Sequence, residues 1–308
     1  MIINIGSRTD IPAFYSDWFY NRIKEGFVYV RNPYYKNQVT KYDLNPEVVD
    51  LLVFVSKNPE PMIARLDEIN DFNQYWQITI TPYGKDIEKN VPVKEKVIKS
   101  FQKLSKIIGK EKIAWRYDPI FINEKYSLEK HIHIFEDMAA KLANYTDVSI
   151  ISFIDLYEKT KKNFPEVEKV NKKERYKIGK EFVEIGKKYN MTIKTCAEGD
   201  ELAKYGIDCS GCLTKSVFEK AIGKNLKVPN KLKVREECDC LLGNDIGAYN
   251  SCGHGCKYCY ANYSNEIVKE KMKKHDKNSP FLIGRSLDED EIHKAEQKSY
   301  IEKQLRLF

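Results

Sequence analysis

Short runs of β-branched and other apolar residues recur along the first two thirds of the chain. They are separated by stretches whose apolar residues return every three or four positions. The runs predict strands at Ile2–Gly6, Leu51–Val55, Trp76–Thr81, Ile113–Tyr117, Val148–Phe153 and Thr192–Cys196. The periodic stretches predict helices at Val93–Ile108, Leu128–Ala143 and Glu174–Tyr189. Strands alternating with helices make a parallel sheet, because a parallel pair needs a crossover long enough to hold a helix. The expected fold class is α/β, a TIM-like βα barrel, whether whole, partial or circularly permuted, over residues 1–200. A cysteine-rich metal-cluster region over 201–265 and a charged helical tail over 266–308, broken near Asn278-Ser-Pro280, complete the expected organisation.

In a parallel barrel the carboxyl ends of the strands form the active face. Here those ends carry Ser7-Arg8-Thr9-Asp10, Ser56-Lys57-Asn58, Thr79, Thr81, Arg116, Asp118 and Asp155. Thr9, Ser56 and Asn58 also suit helix and turn caps. Arg116 and Asp118 sit beside Trp115 and before Pro119 at the end of an apolar strand, which makes them candidate catalytic or ligand-binding groups. Arg8 joins them, since guanidinium gives bidentate, permanently charged binding of carboxylate or phosphate.

Composition narrows the class. With 42% hydrophobic and 31% charged residues, the chain can bury a core and is neither disordered nor collagen-like. It has no apolar run of about 18 residues to span a bilayer, and its first residues lack the basic and apolar regions of a secretion signal. The expected location is the cytoplasm. The net charge of +7, from 52 basic and 45 acidic residues, is a solvated surface or a weak pointer to nucleic acid. Tyr34, Tyr35 and Tyr83 offer base-stacking surfaces or ordinary packing. His131 and His133, two apart on a predicted helix, are read as surface residues.

All eight cysteines fall between Cys196 and Cys259. Short spacings and no secretion signal favour metal binding over disulfides. Cys252-Gly-His-Gly-Cys256-Lys-Tyr-Cys259 has the pattern Cys-x3-Cys-x2-Cys, three ligands with no obvious fourth. That suits an iron–sulfur cluster with one iron left open, whereas structural zinc is normally closed by four ligands. His254, inside the loop, is placed to tune such a cluster or to support the loop. Cys209-Ser-Gly-Cys212 is a tight two-ligand turn; with Cys196, Cys238 and Cys240 it makes five candidates, four of which would hold a second iron–sulfur cluster or a structural zinc with one spare, the alternative being free thiols.

The loop Cys252–Cys259 resembles that of the radical S-adenosylmethionine (SAM) superfamily, particularly the spore photoproduct lyase and photolyase-like proteins. The resemblance implies a 4Fe-4S cluster on Cys252, Cys256 and Cys259 whose open iron chelates SAM. It also implies an electron donor such as flavodoxin or ferredoxin, and radical chemistry on DNA or another nucleic acid, in repair or modification. Thr79 and Thr81 are the nearest candidates for the SAM contacts made by a glycine motif in that superfamily. Over nearly its whole length the chain also resembles the domain of unknown function 1848 family. The segments that carry this likeness are Ser7-Arg-Thr-Asp-Ile-Pro-Ala-Phe14, Ser56-Lys-Asn-Pro-Glu-Pro61, Trp115-Arg-Tyr-Asp-Pro-Ile120 and Asp245–Asn262. Radical SAM enzymes usually carry the cysteine loop after their first strand, but here it follows the sixth βα unit. A circular permutation would return Asp245–Tyr249 beside the N-terminal strand and set the loop over the barrel mouth. The competing reading is a non-catalytic, metal-stabilised nucleic-acid-binding protein in which all eight cysteines close two zinc or iron–sulfur sites.

The last residues, Gln304, Leu305, Arg306, Leu307 and Phe308, resemble the pentapeptide that binds the bacterial sliding clamp. The Gln304 amide would set the register, and Leu305, Leu307 and Phe308 would fill an apolar pocket. Docking of the same leucines on the barrel as an amphipathic helix is the alternative.

Overall fold

The computed structural model of the protein describes residues 1–229, 239–241 and 243–302. Cys238 and the terminal Gln304, Leu305, Leu307 and Phe308 lie outside the described residues.

The chain opens with β1 (Ile2–Ile5), α1 (Ile11–Phe14) and α2 (Ser16–Glu25), then a hairpin of β2 (Phe27–Arg31) and β3 (Gln38–Asp43). Successive βα units follow: β4 (Leu51–Ser56) with α3 (Glu60–Ile63), β5 (Gln74–Thr79) with α4 (Lys94–Ile108), and β6 (Ile113–Ile120) with α5 (Leu128–Leu142). Next come β7 (Val148–Phe153), α6 (Glu158–Asn163), α7 (Lys172–Lys188) and β8 (Thr192–Thr195). Beyond them lie α8 (Lys215–Ile222), β9 (Asn244–Asp245), α9 (Asn265–Met272) and β10 (Glu291–Lys294).

Among the described residues seven strands form one parallel sheet in the order β8-β7-β6-β5-β4-β1-β9, a ladder whose two ends are β8 and β9. The fold is thus mixed α/β around a central parallel sheet, and all six strands expected from the apolar runs belong to it. Their near-continuous hydrophobicity has a simple cause. Successive residues point to opposite faces of a strand, and both faces are covered. On one face Leu52, Phe54, Trp76, Ile78, Trp115 and Ile151 pack with Phe101 of α4, Phe135 of α5 and Phe182 of α7. On the other, Leu51, Val53, Tyr75, Ala114 and Ile150 pack against Phe218 and Ala221 of α8 and against Cys212, Leu213 and Cys240. The cysteine-rich segment therefore covers one face of the sheet.

β9 pairs in parallel with β1, Asn4 opposite Asp245, so the chain does return beside its first strand just before the cysteine loop. The ordered strand there is shorter than Asp245–Tyr249. The charged tail departs from the helical expectation. It is helical over Asn265–Met272, but Glu291–Lys294 is a strand that adds to β3 and completes a second, three-stranded sheet, β10-β3-β2. Charged residues suit such an exposed edge strand, and an open strand edge is a template for pairing. Among the described residues no helix is long and apolar enough to cross a membrane.

His131 corrects its surface reading, since it is 1% exposed while His133 is exposed. Its Nε2 donates to the Phe121 carbonyl (2.8 Å), which leaves Nδ1 to accept from the Tyr117 hydroxyl (2.9 Å). A two-residue offset tells that the side chains diverge, but not which of them faces the core. Burial lowers the His131 pKa to about 4. The unfolded chain therefore binds the extra proton between about pH 4 and 6.5, so this group's stabilisation is complete above pH 6.5 and is lost as pH falls towards 4. The full swing is about 3 kcal/mol. Denaturant unfolding across this window should show that slope in the wild type and a flatter one in His131→Gln; equal slopes would contradict the assignment.

Candidate metal centre

The carboxyl ends of β1, β4, β5, β6 and β7 open onto one cavity of about 300 Å³. Cys252, Cys256 and Cys259 line it, and so do Cys196, Cys212 and Cys240. Two cysteine groups distant from each other in sequence thus share a single space, beside Arg8, Asp10, Lys57, Thr79, Arg116 and Asp118.

The loop that carries the first group is held from several sides. Asp10, which caps α1 beyond the end of β1, is its hub. Its carboxylate accepts from the Ala13 backbone (3.0 Å), the Ser56 hydroxyl (2.7 Å), the Lys57 backbone (2.7 Å) and His254 Nε2 (2.7 Å). The loop is thereby tied to β1 and β4 together. Among the described residues His254 Nδ1 is buried without a hydrogen-bond partner. Gly253 has no room for a side chain, because a Cβ would lie 2.8 Å from the Phe14 ring, which packs edge-on to His254. The chain between β5 and α4 clamps the far side. Asn90 N donates to the His254 carbonyl (2.9 Å), Lys257 N to the Ile87 carbonyl (3.0 Å), and Glu88 bridges to Cys256 through the backbone.

Glu88 is the feature that sequence reasoning missed. Its buried Oε1 accepts from Lys57 Nζ (2.9 Å), Thr81 Oγ1 (2.8 Å) and the Tyr258 hydroxyl. Burial pushes the carboxyl up, but these donors outweigh burial and hold it below its ordinary value. Thr81 is thus engaged by Glu88, while Thr79 lines the cavity. No local signal marked Glu88, which lies in a stretch without apolar periodicity.

Arg8 pairs with Asp245 of β9 through Nε (2.9 Å), and the Asp245 carboxylate also accepts from the Ser7 backbone (2.8 Å). This side chain therefore joins the ends of neighbouring strands. Arg116 forks onto Asp118 and donates from Nη1 to Gln77 Oε1 (2.8 Å) and Cys212 Sγ (3.4 Å). Both arginines border the cavity with an internal carboxylate partner in place. Tyr83 is buried and stacked on Phe121, whereas Tyr34 and Tyr35 are exposed in the β2–β3 connection.

Burial pushes the Cys252 thiol up to about 12, the Cys256 thiol well above its ordinary value, and the Cys259 thiol up as well. As free groups these are neutral thiols, and a cation entering the cavity would displace their protons. Among the described residues, as they are arranged here, no group of three or more His, Cys, Asp or Glu side chains is set to hold a single metal ion. Three half-buried thiols on one braced loop face that cavity, the donor type and placement that a cluster held by three cysteines would need.

A family model described as Domain of unknown function (DUF1848) matches residues 2–261. No curated protein and no solved structure matches the chain.

Proposed function

The chain belongs to the DUF1848 family, and from that premise we propose that it is a radical SAM-type iron–sulfur enzyme whose cluster is held by Cys252, Cys256 and Cys259. One observation carries the reading: these three thiols share a braced loop at the carboxyl ends of a parallel βα sheet and face its cavity. Parallel α/β folds bind ligands at that face. A cluster held by Cys252, Cys256 and Cys259 would supply, once reduced by an external electron donor, the one-electron chemistry for reductive cleavage of SAM. The open βα ladder is read as a partial, permuted TIM-like barrel.

The chain's own residues do the rest. Asp10 and His254 fix the loop against the sheet, Lys57 and Glu88 support it from beneath, and Thr79 borders the space left for SAM. Tyr157 and Tyr260 line the cavity and are about half exposed, with ring centroids 6.2 Å apart. Lys159 Nζ lies 4.9 Å from the ring centroids of both Tyr249 and Tyr263. Aromatic rings interleaved with cations suit bases and phosphates, which supports a nucleic acid as substrate.

Anaerobic reconstitution tests this reading. A brown, oxygen-sensitive protein that binds iron and sulfide and cleaves SAM on reduction is expected. Colourless protein that holds two zinc ions and no iron would overturn it in favour of closed structural sites.

A further inference from the structure

Cys196 follows β8, Cys212 ends the turn that begins at Cys209, and Cys240 lies beyond α8. The fold brings their sulphurs into contact. Cys212 Sγ lies 3.4 Å from Cys196 Sγ and 3.7 Å from Cys240 Sγ. Two thiolates on one tetrahedral zinc, each with a Zn–S bond of about 2.3 Å, stand about 3.8 Å apart. Thiolates of a four-iron cluster bind different irons and stand farther apart, so contact separations favour a single ion.

Hydrogen-bond donors other than cysteine are aimed at two of the three sulphurs, those of Cys240 and Cys212. Cys240 Sγ accepts from two backbone groups, Cys212 N (3.2 Å) and Leu213 N (3.4 Å). Cys212 Sγ accepts from the Arg116 guanidinium (3.4 Å), whose other nitrogens pair with Asp118. Gln77 accepts from Arg116 and donates to the Cys212 carbonyl (3.1 Å), which fixes both groups relative to β5. Such donors orient ligands and offset the excess negative charge of three thiolates around a divalent cation. Cys209 differs, since its thiol contacts the Ile207 carbonyl and is not part of the cavity wall.

We propose that Cys196, Cys212 and Cys240 bind one zinc ion as thiolates, with the fourth coordination position open to the cavity shared with the Cys252–Cys259 loop. Cys212 is the common neighbour of the other two, so binding draws Cys196 and Cys240 around the ion and releases the thiol protons to solvent. An open position on a three-ligand zinc takes water or an electron-rich atom of a bound molecule. This site stands whether or not the loop holds a cluster.

The test uses the full chain with Cys252→Ala, Cys256→Ala and Cys259→Ala combined, which removes the loop thiols, and loads it anaerobically with Zn²⁺ or Co²⁺. One bound metal per chain is expected, and the cobalt form should show intense thiolate-to-cobalt charge transfer with tetrahedral visible bands. Adding Cys212→Ser should abolish both signals, whereas Cys209→Ser should retain them. Should the triple variant not fold, the same Cys212→Ser and Cys209→Ser comparison in the otherwise wild-type chain decides, with one metal lost in the first and none in the second. Four outcomes would overturn the site: no stoichiometric metal, an iron–sulfide chromophore in the triple variant, equal loss in Cys209→Ser, or a disulfide among the three cysteines in anaerobically prepared protein.

Discussion

Replacing Cys256 with alanine should lower reductive SAM cleavage by at least about 100-fold, beyond the 10–100-fold loss typical of changes outside the ligand set. The thiol is half-buried in the cavity wall, and two remaining loop cysteines cannot substitute for three. The backbone of the loop should survive, because Lys257 N to Ile87 and Asn90 N to His254 do not involve the Cys256 side chain. Iron content should fall with activity while circular dichroism and thermal unfolding stay near wild type. Cleavage comparable to wild type would remove Cys256 from the ligand set.

The second large effect is on stability. Glu88→Leu leaves the Lys57 ammonium, only 14% exposed, without its carboxylate, and takes the shared acceptor from Thr81 and Tyr258. Breaking a buried ion pair from one side costs about 3–5 kcal/mol, because the surviving charge stays desolvated. Removing both charges, as in Lys57→Met with Glu88→Leu, should recover much of that loss. Chemical denaturation of the two single variants and the double variant measures the coupling. Strictly additive losses would show that the pair does not act as a unit. Since the Glu88 carboxylate also holds Tyr258, inside the cysteine loop, Glu88→Leu should retain iron less well than wild type.

The two effects mark where the sequence was informative and where it was not. The six strands of the main sheet were legible because burial on both faces makes them continuous apolar runs, and α4, α5 and α7 because one apolar stripe faces that sheet. The small sheet was not. Its strands carry Arg31, Lys41 and Lys294, and its edge strand β10 is about 250 positions beyond its partner β3 in sequence. The cysteine loop was legible from spacing alone, and Arg116 with Asp118 from adjacency. The groups that position them were not, because Asp10 with His254, Lys57 with Glu88, and Arg8 with Asp245 meet only through the fold. The second cysteine group was visible as a set of five candidates. Only the packing of β8, the Cys209–Cys212 turn and the chain beyond α8 separates Cys196, Cys212 and Cys240 from Cys209.

The most direct measurement of the central claim is electron paramagnetic resonance of the anaerobically reconstituted, reduced chain before and after SAM is added. A half-integer iron–sulfur signal that changes shape on SAM binding, and is lost in Cys256→Ala, is the predicted result. A reduced protein with no iron–sulfur signal, or one whose signal is indifferent to SAM, would contradict the account.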